Sequence, residues 1–494
     1  MKENLFKYIL KRIILISLTV FNGIFVPLFS QNIPEKEAAD NRIAGCEGRL
    51  DGNLNNCKID GYRGIWFELN QKYEYGDKYS GGLGTYTAKH MPLAVYSPVV
   101  DKTFFVYGGT KSETSRHLLC MVGEYDHTDS MVSMPTVVCD KEGVNDPHDN
   151  PSIMLDNDGY VWVFVSGRGT KRPGYKFRSA EPYDIDSFFM VAEEEMTYPQ
   201  PWNTGQRFFH FFTKYTGVRL LYFETSVDGI NWSDDRLLAA IRENEGERAG
   251  HYQVSSCFRR GKLATFFNRH PDGTPDKRTD LYYLQTTDSG ETWTDAAGNR
   301  LKIPLVDVDS PARVIDYKSA GKNVYMKDMG FDEAGNPVCL HVISNGHEPG
   351  PENAPYEWCI TKWTGSEWQT SVITESDHNY DMGSLYITGN DWRVVAPLVA
   401  SPQKWGVGGE LEIWQSGDSG KNWKRELVLT KESIYNHSYV RKPVNFKFPF
   451  CFFWADGHPH MFSKSELYFG DFEGNVRKLP YKMNSRRQKP EVID

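Results

Sequence analysis

The chain has 494 residues, of which 14% are aromatic and 43 are glycine, and its formal net charge is −9. Because neutralising phosphates needs a basic surface, this charge argues against a nucleic-acid-binding protein. The length exceeds that of an ordinary domain of about 150 residues, but repeat β-architectures reach such lengths as one domain.

The first 31 residues have the pattern of a secretory signal peptide. Lys2, Lys7, Lys11 and Arg12 precede an apolar stretch over residues 13–29, which Ser30-Gln31 follow. A single membrane anchor is the alternative, but the apolar run is short for a span and is interrupted at Asn22-Gly23. We therefore expect a secreted or periplasmic protein without stable membrane insertion.

The segments that flank the main domain are polar. Residues 32–58 form a polar leader, in which Cys46 and Cys57 could form a disulfide in an oxidising compartment. Residues 484–494 are charged, and we expect them to be disordered. The region between, residues 59–483, is the predicted catalytic domain.

Tryptophan-terminated turns recur through this region. Thr286–Trp293 and Ser416–Trp423 read as Asp-boxes, β-turns in which Asp and Ser/Thr side chains bond the turn backbone while Trp packs between strands. A shortened relative is Ser226–Trp232, and degenerate ones are Asp156–Trp162 and Trp363–Trp368. Their spacing is consistent with a repeat of about 65 residues, and such a period is typical of a β-propeller. The predicted fold is therefore an all-β propeller of about seven four-stranded blades.

The densest group of polar, chemically active residues lies early in this region. Asp126-His127 is followed 21 residues later by His148 within Asp146–Pro151, and both histidines are expected at strand ends or loops. A basic loop containing Arg168 and Arg172 comes next, which in an acidic protein indicates an anionic ligand. Tyr198 follows.

Histidines, a tyrosine and basic residues around one pocket suit β-elimination on a uronic acid. A base removes the C5 proton, an acid protonates the leaving glycosidic oxygen, and a cation stabilises the enolate-like charge on the carboxylate. This chemistry requires no cofactor. The same residues also have structural interpretations: His127 and His148 as loop caps, Tyr198 as packing between blades, and Lys214 with the basic loop as a solvated edge.

The opening of the domain resembles the BNR-repeat propeller enzymes, which include the propeller ulvan lyases. The resemblance rests on Gly61–Trp66, Tyr79–Tyr86, Lys89-His90 and Tyr107–Gly109. It implies that His127, His148 and Tyr198 are catalytic and that Tyr252 contacts substrate. Where the family has an arginine, this chain has Lys214, so the resemblance leaves the carboxylate neutraliser open among Lys214, Arg219, Arg168 and Arg172.

The resemblance therefore implies a polysaccharide lyase that cleaves rhamnose–uronic acid linkages of an acidic, ulvan-like and sulfated polysaccharide. Some relatives are α-L-rhamnosidases that cleave rhamnose–glucuronate caps with a histidine on the opposite face, and His90 is the candidate for that role. A non-catalytic glycan-binding propeller is the third possibility. We favour the lyase because both histidines and the tyrosine are present.

The sequence gives less information about metal ions and binding partners than about the fold. A structural Ca²⁺ or Zn²⁺ ion is possible, and His341, His347 and Cys359 are candidate ligands, although their spacing is loose. We expect a monomer whose partner is the polysaccharide substrate.

Overall fold

The computed structural model describes residues 53–82, 84–86, 89–215, 217–399 and 402–493, without the side chains of residues 252–254. Within these ranges the chain is built from β-strands, and no helix is long and apolar enough to span a membrane. The predicted signal peptide and most of the predicted leader lie outside the described residues and stay predictions.

The strands, in chain order, are β1 (Gly64–Glu68), β2 (Lys72–Tyr73), β3 (Gly76–Asp77), β4 (Ser80–Gly82), β5 (Ala94–Ser97), β6 (Lys102–Gly109), β7 (Leu119–Asp126), β8 (Met131–Ser133), β9 (Thr136–Asp140), β10 (Pro151–Leu155), β11 (Val161–Val165), β12 (Gly174–Ser179), β13 (Phe188–Glu194), β14 (Thr197–Asn203), β15 (Phe208–Thr213), β16 (Leu221–Ser226), β17 (Arg236–Arg242), β18 (Gly250–Arg259), β19 (Lys262–His270) and β20 (Thr279–Thr286). They continue with β21 (Trp293–Thr294), β22 (Arg300–Leu301), β23 (Leu305–Asp307), β24 (Arg313–Ile315), β25 (Asn323–Phe331), β26 (Pro337–Ser344), β27 (Tyr356–Trp363), β28 (Trp368–Ser376), β29 (Ser384–Thr388), β30 (Asp391–Val399), β31 (Glu410–Ser416), β32 (Lys424–Val428), β33 (Asn436–Arg441), β34 (Phe452–Gly457), β35 (Ser463–Ser465), β36 (Leu467–Gly470), β37 (Val476–Lys478), β38 (Arg487–Gln488) and β39 (Glu491–Ile493). Three short 3-10 helices cover Pro147–Asp149, Pro271–Gly273 and Pro351–Asn353.

These strands form a succession of antiparallel sheets. We number the larger ones by their first strands: sheet 1 starts at β5, sheet 2 at β10, sheet 3 at β14, sheet 4 at β18, sheet 5 at β25, sheet 6 at β29 and sheet 7 at β33. The first strands of sheets 1 to 6 contact one another in order, sheet 6 contacts β33, and β1 contacts both β34 and β6. The sheets therefore close into a ring around the first strands, as in the predicted all-β propeller, while the number of blades stays a prediction.

Continuous apolar runs mark the strands that form the core. The second strand of most sheets is buried along nearly its whole length, as in β11 (VWVFV) and β15 (FFHFFT). Such strands are covered on both faces, so they read as continuous apolar runs rather than alternating ones. Residues at the start of β14 and just before β10 and β29 line one cavity, whereas the ends of β14, β18, β25 and β33 line another. We call the face where these first strands begin the upper face.

The Asp-boxes form the turns expected of them. In the box at Thr286, the threonine hydroxyl accepts a hydrogen bond from Gly290 N at 2.9 Å, and Asp288 accepts one from Thr292 N at 2.9 Å. The box at Ser416 repeats these bonds to Gly420 and Asn422. Both boxes follow the third strand of a sheet, at the face opposite the upper face.

One expectation about these repeats is wrong. Asp156–Trp162 joins the first and second strands of sheet 2, not the third and fourth, so it is not in phase with the boxes. The box tryptophans pack as expected: Trp293 is fully buried, and Trp232 and Trp423 are partly buried against hydrophobic clusters. The buried Lys176 ammonium of sheet 2 lies 3.7 Å from the Trp232 ring centroid.

The segments expected to be irregular are partly ordered. The tail contributes β38, which pairs with β8, and β39, which pairs with β37, so the expectation of disorder is wrong for these residues. At the other end, Asn56 N donates to Val137 O at 2.7 Å and joins the end of the predicted leader to sheet 1. Cys57 is disulfide-bonded, and its predicted partner Cys46 lies outside the described residues.

Candidate active site

A cavity of about 330 Å³ opens at the upper face, above the ring of first strands. Its walls come from the starts of first strands and from loops between second and third strands, in sheets 1, 2, 3, 4 and 6, and from the segment after β1. Five of the lining residues are arginines and two are acidic: Arg116, Arg168, Arg172, Arg219, Arg278, Glu68 and Asp146. Four tyrosines also line it: Tyr79, Tyr86, Tyr198 and Tyr380. This composition suits an anionic ligand with apolar ring faces.

His148 is held in this cavity by the turn that contains it. Asp146 caps the 3-10 helix Pro147–Asp149 by accepting a hydrogen bond from His148 N at 3.0 Å, and the same carboxylate oxygen accepts one from His148 Nδ1 at 2.5 Å. Because a carboxylate only accepts, Nδ1 carries the proton and the neutral ring presents a basic Nε2.

The electrostatics around His148 favour the neutral ring. Burial lowers the pKa of His148, and the Asp146 carboxylate opposes that shift. Burial raises the pKa of Asp146, but His148 and the guanidiniums of Arg172 and Arg168 outweigh it and hold that pKa well below its usual range. Asp146 therefore stays ionised and orients the histidine ring.

Tyr198 faces His148 from the start of sheet 3. Its ring centroid lies 5.9 Å from that of His148, and its side chain is 1% exposed. The backbone at Tyr198 has φ +58° within a register shift between Thr197 and Gln200, and its N–H donates to Ser166 Oγ at 3.1 Å. A bulky residue in this conformation costs free energy, and the irregular strand places the Tyr198 side chain in the cavity lining.

The arginines differ in how their charge is used. Arg168 Nη1 and Arg172 Nη2 each donate to Asp146 Oδ2 at 2.7 Å, so both contribute to positioning His148. Arg219 stacks on Tyr215, with 4.1 Å between the guanidinium carbon and the ring centroid. Arg278 is 2% exposed, donates to Tyr79 Oη at 3.1 Å and lies 5.2 Å from the Tyr380 ring centroid.

A buried lysine lies beneath the cavity. Lys89 is 1% exposed, and its Nζ donates to Tyr380 Oη at 3.2 Å. Burial and the nearby charges of Arg278 and Lys327 lower the pKa of Lys89 well below its usual range, which favours the neutral amine. The positive potential of the cavity therefore comes from the arginines in its walls.

The structure does not bring His127 to this cavity, so the expectation that the two histidines converge is wrong. The start of β7 is bonded to the loop that leads to His148, through Leu118 N and Val144 O at 2.7 Å. His127 follows the other end of the eight-residue strand, roughly 25 Å away at 3.3 Å per residue. There it donates from Nδ1 to Phe448 O at 3.2 Å and contacts Tyr96 and Tyr125.

Lys214 is also outside the cavity lining. Its ammonium pairs with Asp235 and lies 5.2 Å from the Tyr222 ring centroid. Lys214 follows the last residue of β15, and the Asp235 carboxylate already neutralises its charge outside the cavity. Arg219, which the sequence offered as a substitute, does line the cavity. The side chain of Tyr252 lies outside the described part of the chain.

His90 is not on the opposite face, contrary to the expectation for a hydrolase. It is fully buried behind two residues of the cavity lining: its Nε2 donates to His148 O at 2.9 Å, and its ring centroid lies 5.6 Å from that of Tyr198. Burial and the Arg441 charge lower its pKa well below the usual range. His90 therefore supports the positions of His148 and Tyr198.

The three predicted metal ligands do not form a cluster. His341 is buried opposite Cys359 in sheet 5 and contacts Thr361 at 2.8 Å, while His347 packs edge-on against Tyr73. Among the described residues, the group with metal-ligand spacing is Glu194, His210 and Glu224. The Lys176 ammonium lies among them, 2.8 Å from Glu194 and 2.7 Å from Glu224, and supplies the compensating charge.

Sequence reasoning missed Arg116, Arg278, Tyr79, Tyr86 and Tyr380 as cavity residues. Tyr79 and Tyr86 belong to the opening segment that carried the resemblance, so a signal was present for them. Arg278 and Tyr380 follow no motif. Only the ring of sheets brings their loops to the cavity.

Comparison with known proteins gives relatives among polysaccharide lyases. Ulvan lyase from Nonlabens ulvanivorans is 20% identical over an alignment of 327 residues that covers 58% of this chain. The match spans 65% of that enzyme, slightly less than two thirds of its length.

Solved structures share the fold. A PL25 ulvan lyase, described as a new family of polysaccharide lyase, superposes with a TM-score of 0.66 at 15% identity and covers 84% of this chain and 96% of its own. A structure of PL25 ulvan lyase bound to -[GlcA(1-4)Rha3S]- superposes with the same TM-score at 14% identity and the same coverage. Residues 105–376 match the BNR repeat-containing family, which is more than half of the chain. The chain therefore belongs to the BNR repeat-containing family.

Proposed function

We propose that this protein is a polysaccharide lyase that cleaves a uronic acid linkage by β-elimination. The observation that carries the proposal is the placement of His148 and Tyr198, with ring centroids 5.9 Å apart, in a cavity lined by five arginines. The relation to ulvan lyase supports the same class of reaction.

In the proposed reaction, His148 is the base. Its Nε2 takes the C5 proton of the uronate, and the electron pair forms the C4–C5 double bond as the C4–O bond breaks. Tyr198 donates a proton to the departing glycosidic oxygen. Arg219 and Arg278 bind the carboxylate, where negative charge develops in the transition state. Protein groups alone supply every step of this proposal.

The proposed substrate is an acidic polysaccharide with rhamnose–glucuronate linkages, sulfated as in ulvan. Its support is the excess of arginine in the cavity and the PL25 ulvan lyase structure bound to -[GlcA(1-4)Rha3S]-. We further propose that the protein is a monomer. We also propose that it is secreted or exported to the periplasm, as the signal-peptide pattern of the first 31 residues predicts.

The test is incubation with ulvan, followed by two measurements. A lyase produces ultraviolet-absorbing unsaturated uronate without free rhamnose. Free rhamnose without unsaturation would instead indicate a hydrolase, and binding without either product would indicate a glycan-binding propeller. The buried position of His90 beneath Tyr198 does not favour the hydrolase.

A further inference from the structure

One side of the cavity is formed by a segment that crosses the upper face. Residues 69–79, here called the strap, leave β1 and fold back through the short hairpin β2–β3. Hydrogen bonds close its base, from Leu69 N to Tyr79 O at 3.0 Å and from Lys78 N to Gln71 O at 2.9 Å. The strap is therefore a defined structural element and not an extended loop.

A single buried carboxylate anchors the strap. Asp276, which is 2% exposed and lies in the loop before β20, accepts hydrogen bonds from Gln71 Nε2, Tyr73 Oη at 3.2 Å and Tyr79 Oη. Arg278 Nη2 adds a hydrogen bond to Tyr79 Oη at 3.1 Å. Hydrogen bonds to an ionised acceptor are among the stronger ones, so these anchors fix the strap against sheet 4.

The tip of the strap continues across sheets 5 and 6. The Tyr73 ring meets His347 edge-on at 5.9 Å, and the Tyr75 ring meets Trp405 at 6.2 Å. At Gly76, a Cβ atom would lie 2.4 Å from the His460 ring, so the backbone there is in close contact with the loop after β34. The strap thus covers the upper face from sheet 4 to sheet 7.

This arrangement limits how a polymer can enter. Leu69, Asn70, Gln71 and Tyr79 form the wall on the strap side, while Asn145, Arg168 and Arg172 line the cavity from sheet 2. A chain bound through its middle needs an exit on both sides of the reacting linkage, and the strap occupies one of them. A volume of about 330 Å³ is at the small end of the ~300–1,000 Å³ range of ligand pockets and suits about one or two sugar rings.

We propose that the strap restricts the protein to the ends of polysaccharide chains, so that it acts exolytically and releases a short product. The terminal sugar lies against the strap near Tyr79 and Arg278, and the remaining chain leaves past Arg168 and Arg172. This inference rests on the proposed function for its chemistry, but recognition of chain ends is a property of the cavity shape and is measurable without cleavage.

The test uses one polysaccharide fractionated into long and short chains, compared at equal mass. Because the rate follows the concentration of sites below saturation, chains about tenfold shorter should give about tenfold faster formation of unsaturated uronate. The shorter chains should also bind about tenfold more of the inactive His148→Ala protein per gram of polysaccharide. A short product should accumulate from the start while viscosity falls slowly. Equal rates or binding per gram, or an early ladder of oligosaccharides, would overturn the proposal.

A strap variant sharpens the test. Replacing residues 72–77 by Gly-Gly should open the cavity and reduce the tenfold dependence on chain length towards equality. Tyr73→Phe removes the hydrogen bond from Tyr73 to Asp276 without changing the cavity lining. It should also weaken the dependence on chain length and shift the products towards longer oligosaccharides. Tyr96→Phe is the matched control, because it loses a tyrosine–carboxylate hydrogen bond of 2.9 Å to Asp101 at the opposite face. It should leave the product pattern unchanged.

The outcomes separate the two proposals. Wild-type protein that binds in proportion to chain ends but forms no unsaturated uronate would support end recognition and refute the lyase. Unsaturated uronate formed at equal rates from long and short chains would support the lyase and refute end recognition. If the shortened variant does not fold, as judged by its thermal unfolding, two measurements still test end recognition. They are the ratio of wild-type rates on short and long chains and the product sizes of Tyr73→Phe.

Discussion

At the upper end of the ring axis, the cavity is lined by five arginines and two acidic residues, whereas the cavity at the lower end is mainly apolar. The lower cavity, of about 280 Å³, lies among the ends of first strands and is bounded by Leu93, Trp202, Met329 and Phe331. Its lining also holds four cationic side chains and one carboxylate, Asp328, which pairs with Lys442 at 2.6 Å. Positive charge is therefore present at both ends, and the upper cavity differs by adding a histidine–carboxylate pair and four tyrosines, groups that can transfer protons.

The largest expected difference between the two ends concerns proton transfer at the upper one. His148→Ala and Tyr198→Phe should each lower kcat by ~10²–10⁴-fold, the usual contribution of a proton-transfer group. Assays of unsaturated uronate formation check this. His127→Ala, a histidine at the lower face, is the control and should retain activity. Full activity of Tyr198→Phe would remove the proposed acid.

The carboxylate neutraliser should give the next largest effect. Arg219→Ala should lower kcat/KM by about 10²-fold on a uronate polymer, because charge developing in the transition state loses a donor. Arg219→Lys should retain part of the kcat/KM that Arg219→Ala loses, since lysine keeps the charge without the bidentate geometry. Lys214→Ala is the matched control, because its ammonium is paired with Asp235 outside the cavity. A larger loss from Lys214→Ala than from Arg219→Ala would reverse this assignment.

The pH profile should show a smaller and directional effect. A base must be deprotonated, and burial lowers the pKa of His148, so activity should fall only as the pH drops below about 6.5, the ordinary histidine value. Asp146 raises that pKa, so Asp146→Asn should move the acidic limb to lower pH. It should also lower kcat by about tenfold through loss of ring orientation. An acidic limb above the ordinary histidine value would contradict the role of His148.

The smallest effect on activity should come from the lower cavity. Met329→Ala removes a side chain that is 1% exposed and should lower the free energy of unfolding by about 2 kcal/mol. Denaturant unfolding measures this change, and kcat/KM for the polymer should stay constant at temperatures where the variant is folded. A loss of kcat/KM without a loss of stability would show that the lower end takes part in the reaction.

The sequence by itself determined the all-β propeller and two of the catalytic candidates. Asp-box turns such as Thr286–Trp293 depend on contacts within a few residues, so their chemistry is legible in the chain. His148 was identifiable for the same reason, since its orientation comes from Asp146 two residues away.

Only the tertiary structure decided which distant residues meet. His127 and His148 look equivalent in sequence, but the direction of β7 places them at opposite faces. Arg278, Tyr380 and the strap reach the cavity because the ring of sheets brings their loops together, across large separations such as the 205 residues between Gln71 and Asp276. Local patterns cannot encode such contacts, because they depend on how the sheets close around the axis.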